Sequence, residues 1–350
     1  MGTVMLMVGL LVAAGVLSAI LTGLVRQYAL KKNVMDVANE RSMHKVPTPR
    51  GGGLAIAVVF LLGVLIQTVT GWLPWNQGGA ILFAGSIIAA IGWWDDKVNL
   101  PSKVRFLVQI ITCAGALWIL GGVPQIIIGS TRFDLGIWGS VIAVPCMVWM
   151  INLYNFMDGI DGFSASEAVL VGGFIGGCLL WSGSMLAGPA FFAAAASLGF
   201  LVWNWPPAKI FMGDVGSAFL GAVFAVLAVA SMNEAAAYPK ITMPGLDVFF
   251  IALGYFFLDS TLTLISRMIN REKWTDPHRS HAFQRQARLR GGHLPVTLSV
   301  MFLNLAFLFP LAFVSYTNPD LAWIMILIAS VPVALLVMWA RGGIKPPVED

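Results

Sequence analysis

Long apolar stretches alternate with short polar ones along nearly the whole of this chain. Read in windows of about 20 apolar residues, enough to cross a hydrocarbon core of about 30 Å, the pattern predicts helices near 4–25, 52–71, 79–94, 104–121, 139–155, 164–182, 187–203, 216–232, 247–266, 295–316 and 320–340. Eleven spans result, with 139–155 and 187–203 among the short ones. The expectation is an all-α, polytopic membrane protein forming one domain over 1–350. Residues 1–25 lack a basic start and an Ala-x-Ala-like exit, and Arg26 follows as a stop, so a retained helix is expected and not a cleaved signal peptide. Residues 122–138 are too polar and turn-rich to span and predict a short external hairpin.

Composition agrees with the pattern. The chain is 58% hydrophobic and 11% charged, whereas a soluble domain carries about 25% charged residues. Cys113, Cys146 and Cys178 sit in apolar stretches without paired spacing and read as small core residues. Charge adds orientation. All but Arg132 and Lys240 of the 21 lysines and arginines fall after odd-numbered spans or in the tail. The positive-inside bias then makes 26–50, 95–103, 156–163, 204–215 and 267–294 cytoplasmic loops, with the N-terminus periplasmic and the C-terminus cytoplasmic. The net charge of +4 is thereby a topology signal, and no nucleic-acid partner is expected.

Three acidic motifs change the picture from membrane protein to candidate enzyme. They are Trp93-Trp94-Asp95-Asp96, the run from Asn152 to Gly162, and Phe211-Met212-Gly213-Asp214-Val215-Gly216-Ser217. Carboxylates beside membrane segments are costly to desolvate and mark function. All three fall on the side assigned to the cytoplasm from lysine and arginine alone. Asp95 and Asp96 are expected just after the third span, with Lys97, Lys103 and Arg105 following. Adjacent carboxylates repel, which suits a metal ligand or a base that takes a proton from a phosphate; the bland alternative is a pair of solvated loop acids. Asn155, Asp158 and Asp161, spaced by three, are able to line one face of a helical turn, with Asn152 one step earlier. Asp214 or Ser217 can cap the eighth helix, and that helix start also favours a bound phosphate. Oxygen-only ligands select Mg²⁺, with Mn²⁺ as the alternative, over Zn²⁺.

The longest polar segment, 267–294, holds His278-Arg279-Ser280-His281. No cysteine or acid set completes a zinc site there, and two histidines around an arginine suit phosphate oxygens; a basic membrane-facing loop is the alternative. His44 and Pro47-Thr48-Pro49-Arg50-Gly51-Gly52-Gly53 form another basic turn, whose glycines admit a phosphate or merely permit the turn.

Together these motifs resemble the polyprenyl-phosphate N-acetylhexosamine-1-phosphate transferases, in the family's order and over nearly the whole chain. The Asn-x-x-Asn-x-x-Asp-Gly-x-Asp-Gly and Gly-Asp-x-Gly-Ser strings carry the likeness. The resemblance implies transfer of a sugar 1-phosphate from a UDP-sugar to undecaprenyl phosphate, with release of UMP and with Mg²⁺, in a bacterial inner membrane. It implies that Asn155 and Asp214 hold the metal and pyrophosphate, that Asp95 is the base with Asp96 its acidic neighbour, and that Asp158 and Asp161 line the cleft around the nucleotide. Asn152, Lys103, Arg105, His278, Arg279 and His281 complete the candidate set, the first five for substrate and His281 among the catalytic groups. Where the family commonly carries His-x-His-His, His281 matches the first histidine and Phe283 and Gln284 replace the later two. That variation resembles the O-antigen-initiating branch, which uses deoxy-sugars, more than the peptidoglycan branch. The alternative outside catalysis is a transporter or flippase for polyprenyl-linked sugars. A homodimer is a possible state.

Overall fold

The computed structural model describes residues 2–36, 43, 46–272 and 279–342. His44 and His278 lie outside the described residues. The helices are α1 (Gly2–Lys32), α2 (Gly53–Val69), α3 (Trp75–Val98), α4 (Ser102–Leu120), α5 (Ile137–Phe156), α6 (Phe163–Trp181), α7 (Ala187–Asn204), α8 (Asp214–Ala237), α9 (Leu246–Ala252), α10 (Gly254–Ile269), α11 (Ala282–Leu289), α12 (Leu294–Leu303), α13 (Phe309–Thr317) and α14 (Ala322–Gly342). Two tiny antiparallel ribbons accompany them: β1 (Met35–Asp36) with β2 (Thr48–Pro49), and β3 (Gln125–Ile128) with β4 (Thr131–Asp134). The second ribbon is the hairpin expected within 122–138, with Ile126 opposite Phe133.

The all-α, polytopic expectation holds, with two corrections to the count of eleven. Among the described residues nine helices are long and apolar enough to cross a membrane. The window near 247–266 is two helices, α9 and α10, meeting at a 79° bend. The window near 52–71 is a 17-residue helix, short for a span. A hydropathy window registers apolar length and not direction, so a bend at Leu253, unmarked by proline, leaves no trace in it. The short windows 139–155 and 187–203 fill out to 20 and 18 residues as α5 and α7.

The architecture is ordered around α8. A helix that is apolar on every side belongs inside a bundle, and 94% of the α8 membrane window is buried. It packs on α2, α3 and α5. Small residues allow backbones to touch: a Cβ on Gly53 of α2 would fall 2.3 Å from Gly216 Cα, and one on Gly92 of α3 would fall 2.6 Å from the Asp214 carbonyl. These approaches fix where α2 and α3 meet the first turn of α8. The glycines of the Arg50–Gly53 turn therefore serve packing, with Gly52 N–H and Gly53 N–H donating to the Phe211 and Met212 carbonyls at 2.9 Å each. Outer helices turn large apolar side chains outward, as Val12, Val16 and Ile20 do on α1 and Leu327 and Leu335 on α14. Cys113 and Cys178 are buried as expected, whereas Cys146 is exposed on α5.

Candidate active site

Two of the three acidic motifs line a cleft of about 1190 Å³ at one end of the bundle, and the third, Asp95-Asp96, lies behind it and reaches it only through Arg105 and Arg50, which do line it. Its charged floor is made by the end of α3 and the start of α8. Asp95 and Asp96 do not follow the third helix but lie inside it, in the last turn of α3. Successive helical residues point about 100° apart, so the two acids face different partners. Asp95 Oδ1 accepts from Leu100 N–H at 2.6 Å and Oδ2 from Arg105 Nη1 at 2.7 Å. The same Arg105 nitrogen reaches Asp214 Oδ2 at 2.7 Å, so one guanidinium sits between two carboxylates.

Asp96 takes another course. It accepts from Arg50 Nε at 2.7 Å and from Arg50 Nη2, and from Asp214 N–H at 3.0 Å and Val215 N–H at 3.2 Å. A carboxylate on free helix N–H groups is a cap, here supplied by a different helix. The start of α8, offered by the sequence as a phosphate site, is thus already filled by Asp96. Gly213 makes the fit possible: its φ is +76° and a Cβ there would sit 2.5 Å from Asp96 Oδ2. Burial first, then the charge of Asp96, acts on Arg50, and the balance with Asp214 and Asp36 raises its pKa.

Asn155, in the last turn of α5, faces the same floor. Its Nδ2 is 3.4 Å from Asp214 Oδ2, and its Oδ1 accepts from Ser217 Oγ at 2.6 Å. The helix ends at Phe156, so Asp158 and Asp161 are not on its face but in the loop leading to α6. Both still line the cleft. Burial pushes the Asp158 carboxyl up to about 7; Ser164 opposes the shift, and the charges of Asp214 and Asp96 add to it. Asp161 ties three segments together. Its Oδ2 accepts from Ala208 N–H at 3.0 Å, its N–H donates to His293 Nδ1 at 3.2 Å, and its carbonyl accepts from Thr297 Oγ1 at 3.2 Å.

Away from the acids the cleft changes character. Lys103 lies at its edge, and Phe106, Ile110, Val148 and Trp149 of α4 and α5 make an apolar wall. Asn152 marks the transition, donating to Gln109 Oε1 and the Val148 carbonyl at 2.7 Å each. His281 is 3% exposed and lines the cleft beside Phe156 and Phe283. Arg279 is not among the lining residues; its carbonyl accepts from Arg288 Nη2 at 3.2 Å.

Among the lining residues outside the candidate set are Arg50, Gln284 and His293. Arg50 was visible only as part of a basic turn. His293 stands alone after two glycines at a helix start, which is a weak signal. Gln284 was noted only as a departure from a pattern.

No group of three or more His, Cys, Asp and Glu among the described residues is arranged to hold a metal ion. The floor offers instead a few oxygens on Asp214 and Asn155. Mg²⁺ is commonly held by one or two carboxylates, with phosphates and waters filling the octahedron. The all-oxygen donor set fits that mode, and Asp214 and Asn155 would be the protein's share.

Comparison with known proteins agrees with the geometry. The description Glycosyl transferase family 4 matches residues 79–232, from α3 to α8. The chain is 31% identical to a probable undecaprenyl-phosphate N-acetylglucosaminyl 1-phosphate transferase of Bacillus subtilis (strain 168), over 82% of this chain and 79% of that protein. It is 29% identical to the decaprenyl-phosphate N-acetylglucosaminephosphotransferase of Mycobacterium tuberculosis (strain ATCC 25618 / H37Rv), over 82% and 77% respectively. It is also 29% identical to a phospho-N-acetylmuramoyl-pentapeptide-transferase of Bacillus mycoides, over 76% and 85%.

Proposed function

This chain belongs to the polyprenyl-phosphate hexosamine-1-phosphate transferases, and we propose that it moves N-acetylglucosamine 1-phosphate from UDP-N-acetylglucosamine to undecaprenyl phosphate, releasing UMP. The observation that carries the reading is the two-sided cleft. A charged floor with Arg50, Arg105 and Asp214 is continuous with an apolar wall on α4 and α5, matching an acceptor that is phosphate at one end and hydrocarbon at the other. In the transfer an oxygen of the lipid phosphate forms a bond to the sugar-bearing phosphorus, the bond from that phosphorus to the bridging oxygen breaks, and UMP leaves with that oxygen.

Arg105 is held between Asp95 and Asp214 on the cleft floor, where a fixed guanidinium would stabilise charge building on the transferred phosphoryl group. Both Asp95 oxygens are occupied and the residue is buried behind the cleft, so Asp95 acts by orienting Arg105. A monoester phosphate has its second pKa near 6 and needs little help in losing its proton at neutral pH. Asp214 and Asn155 would hold Mg²⁺, which neutralises the diphosphate when bound. The acids lie at helix ends on one side, and not at mid-span in broken helices as a transporter site would. This supports catalysis over transport. The segregation of basic residues supports a cytoplasmic site in a bacterial inner membrane, with a periplasmic N-terminus.

The relatives' names support a GlcNAc donor. The deoxy-sugar reading rested on Phe283 and Gln284. Phe283 is fully buried, stacked on Phe163 at 4.9 Å, and points into the core; only Gln284 reaches the cleft. A donor series on purified protein tests the reading: UMP release is expected to be fastest with UDP-N-acetylglucosamine. A preference for UDP-N-acetylfucosamine or UDP-N-acetylquinovosamine would move the chain to a surface-glycan branch such as O-antigen initiation.

A further inference from the structure

Asp259 is a fully buried carboxylate in α10, outside the cleft and outside every motif above. A charge in a membrane-spanning helix requires a partner. Its partners here all belong to the last loop or its own helix. Asp259 Oδ1 accepts from Ala282 N–H at 2.9 Å and Thr263 Oγ1 at 3.1 Å, and Oδ2 accepts from Phe283 N–H at 3.0 Å. His281 Nδ1 lies 3.5 Å from Oδ1. The carboxylate therefore caps the first turn of α11 from another helix, and the residue at that cap position is His281 itself.

The consequence is positional. His281 and Gln284 are the residues by which this rim reaches the cleft, and both flank the two N–H groups that Asp259 holds. Gln284 is 7% exposed and its Oε1 has no hydrogen-bond partner among the described residues, so the rim presents an acceptor beside the imidazole. Asp259 also stands on the limb beyond the 79° bend, so the bend sets the height at which α11 docks. From this geometry we propose that Asp259 is a positioning residue for the transfer reaction, holding His281 at the edge of the cleft through the start of α11. The inference rests on the reading of the cleft as the transfer site.

A double-mutant cycle tests it, with purified full-length protein, UDP-N-acetylglucosamine and undecaprenyl phosphate. Asp259→Asn keeps the shape but turns an amide N–H₂ toward one of the two N–H groups. It should lower kcat/KM for the sugar nucleotide by roughly 10- to 150-fold, the scale of one charge-assisted hydrogen bond, and leave KM for the lipid unchanged. His281→Ala should lose a similar amount. Residues acting through one another do not add, so the double variant should be no slower than the worse single one. Multiplying losses, or Asp259→Asn within about twofold of wild type, overturn the proposal while leaving the cleft assignment intact. Unchanged activity in His281→Ala instead overturns both the assignment of His281 and the proposal. Should Asp259→Asn fail to fold, Thr263→Val removes a single hydrogen bond to the same carboxylate. A few-fold loss that vanishes in the His281→Ala background supports the proposal, and an equal loss in both backgrounds overturns it.

Discussion

Both ends of this bundle bury carboxylates, but they satisfy them differently. At the hairpin end, Asp247 accepts from Gly129 N–H at 2.9 Å and from Ser315 Oγ, and Glu234 accepts from Gln77 Nε2 at 2.7 Å and from Ser184 Oγ. Every partner there is neutral and fixed in the fold. At the motif end, Asp95, Asp96 and Asp214 share Arg50 and Arg105, and Asp214 opens on the cleft. Neutral donors make an acid a brace between helices. Cations that an incoming phosphate can also bind make an acid part of an exchangeable site. Burial is alike in the two places, and the charge of the partner tells them apart.

The largest effect that would break this contrast is at Asp214. Asp214→Ala should cut turnover by about 10²–10³-fold, the scale for removing one electrostatic contact at a reacting group, with melting in detergent close to wild type. Turnover at the wild-type level at ordinary Mg²⁺ would remove Asp214 from the floor of the reaction. Arg105→Ala comes next. Loss of one charge-assisted contact amounts to about 1.5–3 kcal/mol, so steady-state kcat/KM should fall roughly 10- to 150-fold, and a change under twofold would make the bridge ornamental. Asp247→Ala sharpens the contrast from the other side. Leaving a buried N–H and a hydroxyl unpartnered should destabilise the protein by about 1–3 kcal/mol, seen as a lower melting temperature. Turnover per folded molecule should hold, and a specific loss of turnover there would erase the distinction.

Much of this was legible in the sequence because apolar length and charge asymmetry are one-dimensional signals. Most of the helix positions, the hairpin at 125–134 and the placing of the acidic motifs on one side follow from them, whereas the meeting of Asn155, Asp158, Asp161 and Asp214 in one cleft needed the packing of α5 on α8. What was not legible depends on direction or on a partner far along the chain. The pair Asp95-Asp96 reads as a loop signal until Arg105 and Arg50 pay for keeping it inside α3. The role of Asp96 as the cap of α8 spans 118 residues. The α9–α10 bend and the seat of His293 beside Asp161 depend on packing between helices that no local pattern encodes.

A smaller effect concerns pH. Asp158 keeps its proton in the folded protein up to about 7, whereas an unfolded chain loses it near 4. The folded state then binds more protons between those values, so stability falls as pH rises through that window. Asp158→Asn is neutral throughout, so its melting temperature should gain on wild type from about pH 4 to about pH 7. Parallel melting curves would show that the carboxyl is solvated and ordinary.

The central claim is that a sugar is transferred together with its phosphate. The most direct measurement follows sugar-labelled UDP-N-acetylglucosamine and undecaprenyl phosphate with purified protein, and identifies the nucleotide released. The account predicts UMP in one-to-one proportion with label extracted into organic solvent, and loss of that lipid-borne label when UMP is added back. Release of UDP with label in the lipid, or no transfer by folded protein with a full series of UDP-sugars, would contradict it.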